Sequence, residues 1–145
     1  MHECARTRAS ESDRDFFLRL NRLSYQSLVE QQFGAWDEQA QLANFAEKWK
    51  RQNFSKVFLE ETLIGGIWVE EFEDYLQIFE IQLLPEFRNR GLGTTLIEEE
   101  IGRARLLGKR LRLRVLHLNP ALSLYTRLGF RNIETTEHQY IMELG

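Results

Sequence analysis

The sequence holds a single cysteine, Cys4, so no disulfide can form within the chain. That fits a reducing compartment, and nothing in the sequence places a helix or a base beside Cys4 that would make it a nucleophile. No apolar run reaches the roughly 20 residues that a membrane-spanning helix needs. The opening segment MHECARTRAS lacks the apolar core of a signal peptide. A cytoplasmic location and no membrane partner are therefore expected. Charge of one sign is also scarce: the net charge of −3 offers no general attraction to nucleic acid, and none is expected as a partner. His, Cys and carboxylate residues never cluster at metal-ligand spacing, so no metal is expected. Repeats, low-complexity tracts and Pro/Gly-rich linkers are missing, which removes any sign of a second domain. At 145 residues, 43% hydrophobic and 28% charged, the chain suffices for one core and is expected to form a single domain over residues 1–145.

What is there reads as alternating strands and helices. Residues 4–9 suit a short strand. Ser10-Glu11-Ser12-Asp13 offers N-cap side chains, and Phe16, Phe17, Leu20, Leu23, Leu28 and Val29 recur at helical spacing until Gly34. A second helix over 37–51 carries Leu42, Phe45, Ala46 and Trp49 on one face. Strands are expected over 56–60, 63–69 and 75–84, with a turn at 72–74. Gly65-Gly66, inside the second of these, signals a bulge or a close approach by another backbone or a ligand. A helix from Leu92 to near Gly108, a strand over 111–116, a short helix and strands over Arg131–Thr135 and Gln139–Leu144 complete the chain. This order gives an α+β or mixed α/β fold with helices on both faces of the sheet. The strand–loop–helix–strand unit over 76–116 implies a parallel pair with a right-handed crossover.

Residues 82–100 read QLLPEFRNRGLGTTLIEEE. The apolar run Ile78, Phe79, Ile81, Leu83, Leu84 stops at Pro85, a polar loop follows, and Leu92, Leu96, Ile97 and Ile101 open a helical pattern. The first turn of a helix leaves N–H groups unpaired and carries partial positive charge. Glycine lets a phosphate approach those groups, and Arg88 and Arg90 add full charge. The segment is thus a candidate pyrophosphate cradle. Its spacing matches neither G-x-G-x-x-G nor the P-loop pattern. Instead Arg88-Asn89-Arg90-Gly91-Leu92-Gly93 is R-x-x-G-x-G, which resembles the acyl-CoA loop of the GNAT superfamily of N-acetyltransferases. Leu83-Leu84-Pro85-Glu86-Phe87 resembles the strand end of that family. Asn119-Pro120-Ala121 followed by Leu124-Tyr125-Thr126-Arg127-Leu128-Gly129-Phe130 looks like its last helix and closing turn. The order of elements after Leu76 is also similar. Motifs carry the likeness over the C-terminal half; before it, Phe33-Gly34-Ala35-Trp36-Asp37-Glu38 resembles a segment of some bacterial members.

The resemblance implies a GNAT-type fold with a mixed six- to seven-stranded sheet, in which two parallel strands diverge around the acyl-CoA. It also implies acetyl transfer from acetyl-CoA, the co-substrate, to an amine. By that analogy Arg88, Asn89, Arg90, Gly91, Leu92, Gly93 and Thr94 hold the pyrophosphate. Backbone N–H groups of Leu83 and Leu84 meet the pantetheine arm or the thioester oxygen. Asn119 contacts the CoA arm, or caps a helix with Pro120 in its first turn. Thr94 and Thr95 add hydroxyl contacts or simply occupy the first helical turn. Tyr125 matches the family's general acid, and a phenol with an ordinary pKa of roughly 10 suits protonation of a thiolate. Glu80, a carboxylate inside an apolar strand and on one face with Gln82, is the foremost base. Glu70, His117, His138 and water are the other candidates. The acceptor, a small-molecule or protein amine, would lie near Tyr25, Phe33, Trp36, Asp37 and Glu38; Trp36 could stack on a cation. The acidic segment 60–74 could attract a cationic amine. Polyamine, aminoglycoside, amino acid and protein acceptors all remain open. So do a non-catalytic acyl-CoA sensor of the same fold and an unrelated phosphate-binding α/β protein. A homodimer through the C-terminal strand Gln139–Leu144 is a further expectation.

Overall fold

The computed structural model describes residues 4–145. Among them the chain runs β1 (Cys4–Arg8), α1 (Arg14–Phe33), α2 (Glu38–Lys50), β2 (Phe54–Leu59), β3 (Thr62–Glu71), β4 (Tyr75–Leu83), α3 (Leu92–Leu107), β5 (Arg110–Leu116), α4 (Leu122–Arg127), β6 (Arg131–Thr135) and β7 (Gln139–Leu144). The seven strands form one sheet in the order β1-β2-β3-β4-β5-β7-β6. β4 and β5 are parallel, whereas β1 with β2, β2 with β3, β5 with β7 and β6 with β7 are antiparallel. The sheet is therefore mixed and the fold α+β, at the upper end of the expected strand number. One expectation is corrected: Gln139–Leu144 is not an edge. β5 takes one of its sides and β6 the other, so no row of free backbone groups is left for a second copy.

Two compact units share the chain. One comprises residues up to Trp68 together with Glu80–Leu96, the other Val69–Phe79 together with Ile97–Gly145. The passages fall inside β3, β4 and α3, not in linkers.

In the first unit, Ser10 and Asp13 form a capping box ahead of α1. Ser10 N donates to Asp13 Oδ2 at 2.9 Å, and Lys56 Nζ lies 3.2 Å from the same oxygen. Asp37 caps α2 by accepting from Ala40 N at 3.1 Å. An aromatic core joins these helices to the strands. Phe17 packs on Phe54 (centroids 4.9 Å apart) and on Trp49 (5.6 Å), and Phe54 packs on Trp68 (5.3 Å). Such pairs add about 0.5–1.5 kcal/mol each beyond their buried area. Gly65 and Gly66 are the close approach that the sequence signals. A methyl group on Gly65 would overlap the Gln82 carbonyl oxygen, and one on Gly66 would overlap the Phe17 ring. Backbone-to-backbone and ring-to-backbone packing here leaves no volume for Cβ.

In the second unit, β5 alternates buried Leu111, Leu113 and Val115 with Arg112 and Arg114. α3 buries Ile97, Ile101 and Ala104. The parallel ladder between β4 and β5 covers four pairs, from Tyr75↔Arg110 to Ile78↔Leu113. Arg112 stacks over Tyr75 at 4.0 Å and Arg114 over Phe79 at 5.0 Å. The buried Glu143 carboxylate accepts from Arg112 Nε at 2.7 Å, with Arg110 Nη1 at 3.5 Å.

Two tests follow from this packing. Gly65→Ala and Gly66→Ala should each destabilise the fold by about 1–3 kcal/mol, the cost of overpacking a core. Gly102→Ala, where a methyl would meet nothing within 4 Å, should raise stability by about 0.5–1 kcal/mol as a helix-interior glycine replaced. Urea unfolding checks all three. The Asp13 carboxyl, for its part, is held below its ordinary 3.8, first by the Ser10 backbone N–H, with Lys56 adding to it. Its contribution is complete above the unfolded-state pKa and is lost as pH falls through the lower folded value. Asp13→Ala should therefore lose about 1 kcal/mol at neutral pH. That difference should close in unfolding titrations taken progressively below pH 3.8.

Candidate active site

β4 ends at Leu83, and a single 3-10 turn over Pro85–Phe87 leads into the loop. Pro85 suits this place because its fixed φ starts a helical turn and its missing N–H is not needed there. Arg88 is extended, Asn89 takes φ 61 and Gly91 φ 79, and α3 then begins at Leu92. At Gly91 a side chain would be strained by the backbone itself. Gly93 is different. Its φ is ordinary, and a methyl there would meet only Leu83 Cδ1 at 3.9 Å. The protein's own packing thus makes no demand for glycine at 93, whereas a ligand pressed against the helix end would. The amides of the first turn of α3, at Leu92, Gly93 and Thr94, have no carbonyl one turn earlier in the helix to bond. Leu92 and Leu96 are buried and anchor that turn. Thr95 back-bonds, with both its N and its Oγ1 at 3.0 Å from the Gly91 carbonyl, so its hydroxyl tightens the helix start.

The cradle's arginines are engaged with the protein. Arg88 Nε donates to the Leu83 carbonyl at 3.1 Å and Arg88 Nη2 to the Leu23 carbonyl of α1 at 2.9 Å. Arg90 lies over the Phe87 ring at 5.4 Å from its centroid. Arg88 therefore brackets the loop to the end of β4 and to α1, a role that no local pattern announces. Leu84 N donates to the Ile64 carbonyl at 2.8 Å, which commits that amide to the sheet.

Glu80 is buried, at 7% exposure, and both its oxygens have donors. The Tyr25 hydroxyl donates to Oε2, and Lys48 Nζ donates to Oε1 at 2.7 Å. One step along the same face of β4, the buried Gln82 Nε2 donates to Asn21 Oδ1 at 3.3 Å. Asn21 and Tyr25 lie four residues apart on α1, on one face of the helix. Two polar rungs thus join α1 to β4, with Lys48 of α2 closing the upper one. Removing one partner of a buried pair costs about 3–5 kcal/mol, less here because Lys48 is one-third exposed. Lys48 and Asn21 escaped the sequence reading. The only available signal was a pair of polar residues on the apolar stripe of α1 matching a pair at period two in β4.

The other residues expected near an acceptor amine are engaged with the protein or lie on its surface. Trp36 Nε1 donates to Glu38 Oε2 at 2.9 Å, and Glu38 also pairs with Arg22. Asp37 serves as the α2 cap, and Phe33 is about half exposed. An open groove of about 560 Å³ runs along α1, lined by Arg22, Leu23, Gln26, Ser27, Glu30 and Gln31. In the acidic segment, Glu71 accepts from Lys109 at 2.6 Å, and that bond holds its carboxyl below the usual range.

Within the second unit, Asn119 Oδ1 accepts from Ala121 N at 2.9 Å, closing an Asx turn around Pro120. Asn119 does not cap α4 as its alternative reading expected: Pro120 lies outside the helix, which begins at Leu122 with Ala121 at its N-cap. Tyr125 lies on α4, half-buried, edge-on to Phe130 at 6.1 Å. The His117 ring packs tilted against Tyr140 at 4.5 Å, and its buried Nε2 has no hydrogen-bond partner among the described residues. His138 is exposed beside Glu137. Among the described residues no group of His, Cys, Asp and Glu is arranged to hold a metal ion, and no helix is long and apolar enough to cross a membrane.

The sequence model of the family described as "Acetyltransferase (GNAT) family" matches residues 17–130. No curated protein matches the chain. Many solved structures share the fold. PaiA N-acetyltransferase from Thermoplasma acidophilum, crystallised with coenzyme A, superposes with a TM-score of 0.77 at 23% identity, over 97% of this chain and 98% of that one. The ribosomal-protein-S18-alanine N-acetyltransferase from Escherichia coli gives 0.68 at 19% identity, over 98% and 93%. Arabidopsis thaliana Naa50, in complex with the bisubstrate analogue CoA-Ac-MVNAL, gives 0.68 at 14% identity, over 98% of each chain.

The two loop glycines should separate in a stability measurement. Gly91→Ala should destabilise by about 1–2 kcal/mol, the penalty of a left-handed backbone for a residue with Cβ. Gly93→Ala should stay within about 0.5 kcal/mol of the parent. Thermal and urea unfolding of the two variants checks this.

Proposed function

The chain belongs to the acetyltransferase (GNAT) family, and from that premise we propose that it transfers an acetyl group from acetyl-CoA to a primary amine. The observation that carries this reading is the start of α3. There a left-handed Gly91 turns the loop, the first-turn amides face no carbonyl of their own helix, and Gly93 leaves room that the protein does not fill.

In this reading the amides of Leu92, Gly93 and Thr94 hold the pyrophosphate together with the partial charge of the helix end. The loop side chains shape that cradle more than they charge it, since the Arg88 guanidinium is occupied by two carbonyls. Leu83 N–H is the better partner for the pantetheine arm or thioester oxygen, because Leu84 N–H is already bonded. Asn119 contacts the arm in addition to closing its turn. Acetyl-CoA supplies the activated carbonyl. The amine nitrogen attacks it, the N–C bond forms and the C–S bond breaks. Tyr125 donates a proton to the departing thiolate. Glu80, directly or through water, takes the proton that the amine gives up. The acceptor is a small-molecule or protein amine.

Calorimetry of acetyl-CoA against 3′-dephospho-CoA, pantetheine and ATP tests the cradle. Binding that needs both the pyrophosphate and the pantetheine arm supports the reading; equal binding of ATP, or no binding of acetyl-CoA, rejects it. Gly93→Val should weaken acetyl-CoA binding by about tenfold or more, as a side chain displaces the phosphate from the amides. Tyr125→Phe should lower thiol release with the best amine of a screen by about a hundredfold, the low end for general acid catalysis. Its acetyl-CoA affinity should be unchanged; an unchanged rate would remove Tyr125 from the acid role.

A further inference from the structure

The chain has 15 arginines but lysine at only four positions, 48, 50, 56 and 109. A guanidinium stays protonated and is no nucleophile toward a thioester. Among its basic side chains, lysine is therefore the one that its own acetyl donor can modify. All four are held by carboxylates: Lys48 by Glu80 at 2.7 Å, Lys50 by Glu47 at 3.0 Å, Lys56 by Asp13 at 3.2 Å and Lys109 by Glu71 at 2.6 Å. One of these pairs is unlike the rest. Glu80 is the one buried carboxylate of the four, at 7% exposure on β4, and it is the proton acceptor of the mechanism above. The Lys48 side chain is 33% exposed while it rests on that carboxylate, so the pair lies at the border of the buried strand and solvent. It also carries a flexible four-carbon stem.

We propose that Lys48 is a self-acetylation site of this protein, its ammonium occupying at Glu80 the place that an acceptor amine takes in turnover. The inference rests on the acetyl-CoA reading. Lys48 Nζ passes one proton to Glu80 and attacks the thioester carbonyl carbon. An N–C bond forms, the C–S bond breaks and the thiolate leaves. The second nitrogen proton reaches the thiolate or solvent, so the products are acetyl-lysine, the CoA thiol and one proton. Acetylation removes the charge of Lys48 and with it the ion pair that spans α2 and β4. Glu80 is then left with the Tyr25 hydroxyl, and an external amine no longer competes with Lys48 for it.

The test is peptide mapping by mass spectrometry during incubation of the whole protein with isotope-labelled acetyl-CoA and no added amine. Uncatalysed chemistry would favour Lys50, whose side chain is 72% exposed. The proposal expects Lys48 to be labelled about a hundredfold faster than Lys50, the low end of the gain from a positioned base. The rate should be first order and independent of protein concentration. Lys48→Arg keeps a cation on Glu80 and should leave only the slow label at the other three positions. Label appearing first at Lys50, or evenly over all four, overturns the proposal. Calorimetry and an amine screen on the same sample separate the two readings. Acetyl-CoA binding and amine turnover with Lys48 unlabelled reject self-acetylation alone. No acetyl-CoA binding rejects the acetyl-CoA reading and self-acetylation with it.

Discussion

A carboxylate in the middle of an apolar strand must be given donors, because leaving it unpaired would take a large part of the small net stability a fold has. Glu80 imposes that condition on everything around it. Its two oxygens require Tyr25 from α1 and Lys48 from α2, and the neighbouring Gln82 requires Asn21. α1 and α2 are thereby fixed to β4 at particular side chains, which hydrophobic burial alone would not specify. The Arg88 guanidinium adds a third tie, from the loop after β4 to the Leu23 carbonyl of α1. Strand, helix and the loop before α3 are referenced to one another through polar contacts, while Phe17, Phe54 and Trp68 pack against one another beside them.

In the proposed acetyl-CoA reading, that arrangement moves the weight of phosphate recognition from side chains to backbone. Two arginines in a glycine loop invite a reading as charge partners. One of them is spent on positioning, and the other lies against Phe87. What remains for an anion is the helix end. A site built from amides reads the shape of a diphosphate and is insensitive to the identity of most neighbouring side chains.

The legible part of this protein was the part decided locally. Pro85, Gly91 and the apolar pattern after Leu92 place a strand end, a turn and a helix start by short-range sterics. The structure puts α3 at Leu92 and the last two strands at the residues expected. Gly65-Gly66 was legible as a bulge or a close approach, and the structure shows backbone and ring packed against both glycines, with a register shift in the facing strand. Illegible were the contacts between residues far apart in the chain. Neither the carbonyl that Arg88 reaches nor the lysine that Glu80 recruits has any signature at short range. The edge assignment of Gln139–Leu144 failed for the same reason. Sequence order puts that strand last, but the sheet places it between β5 and β6, a matter of topology and not of propensity. The reading of Asn119 as a helix cap failed in the same way, because its side chain closes an Asx turn around Pro120 and α4 begins only at Leu122, after Ala121.

The four-pair parallel ladder from Tyr75↔Arg110 to Ile78↔Leu113 has a consequence for how the chain finds its structure. Hairpins such as β6 with β7 close over a few residues and form quickly. The β4–β5 pairing must wait until the loop and the whole of α3 have been gathered between the two strands, and it returns only four pairs for that loss of chain entropy. This short ladder, like the pairing of β1 with β2 across α1 and α2, therefore closes at a higher entropic cost than the hairpins do. A nascent chain released before Arg110 has emerged would hold β4 with that side unsatisfied, open to the wrong strand.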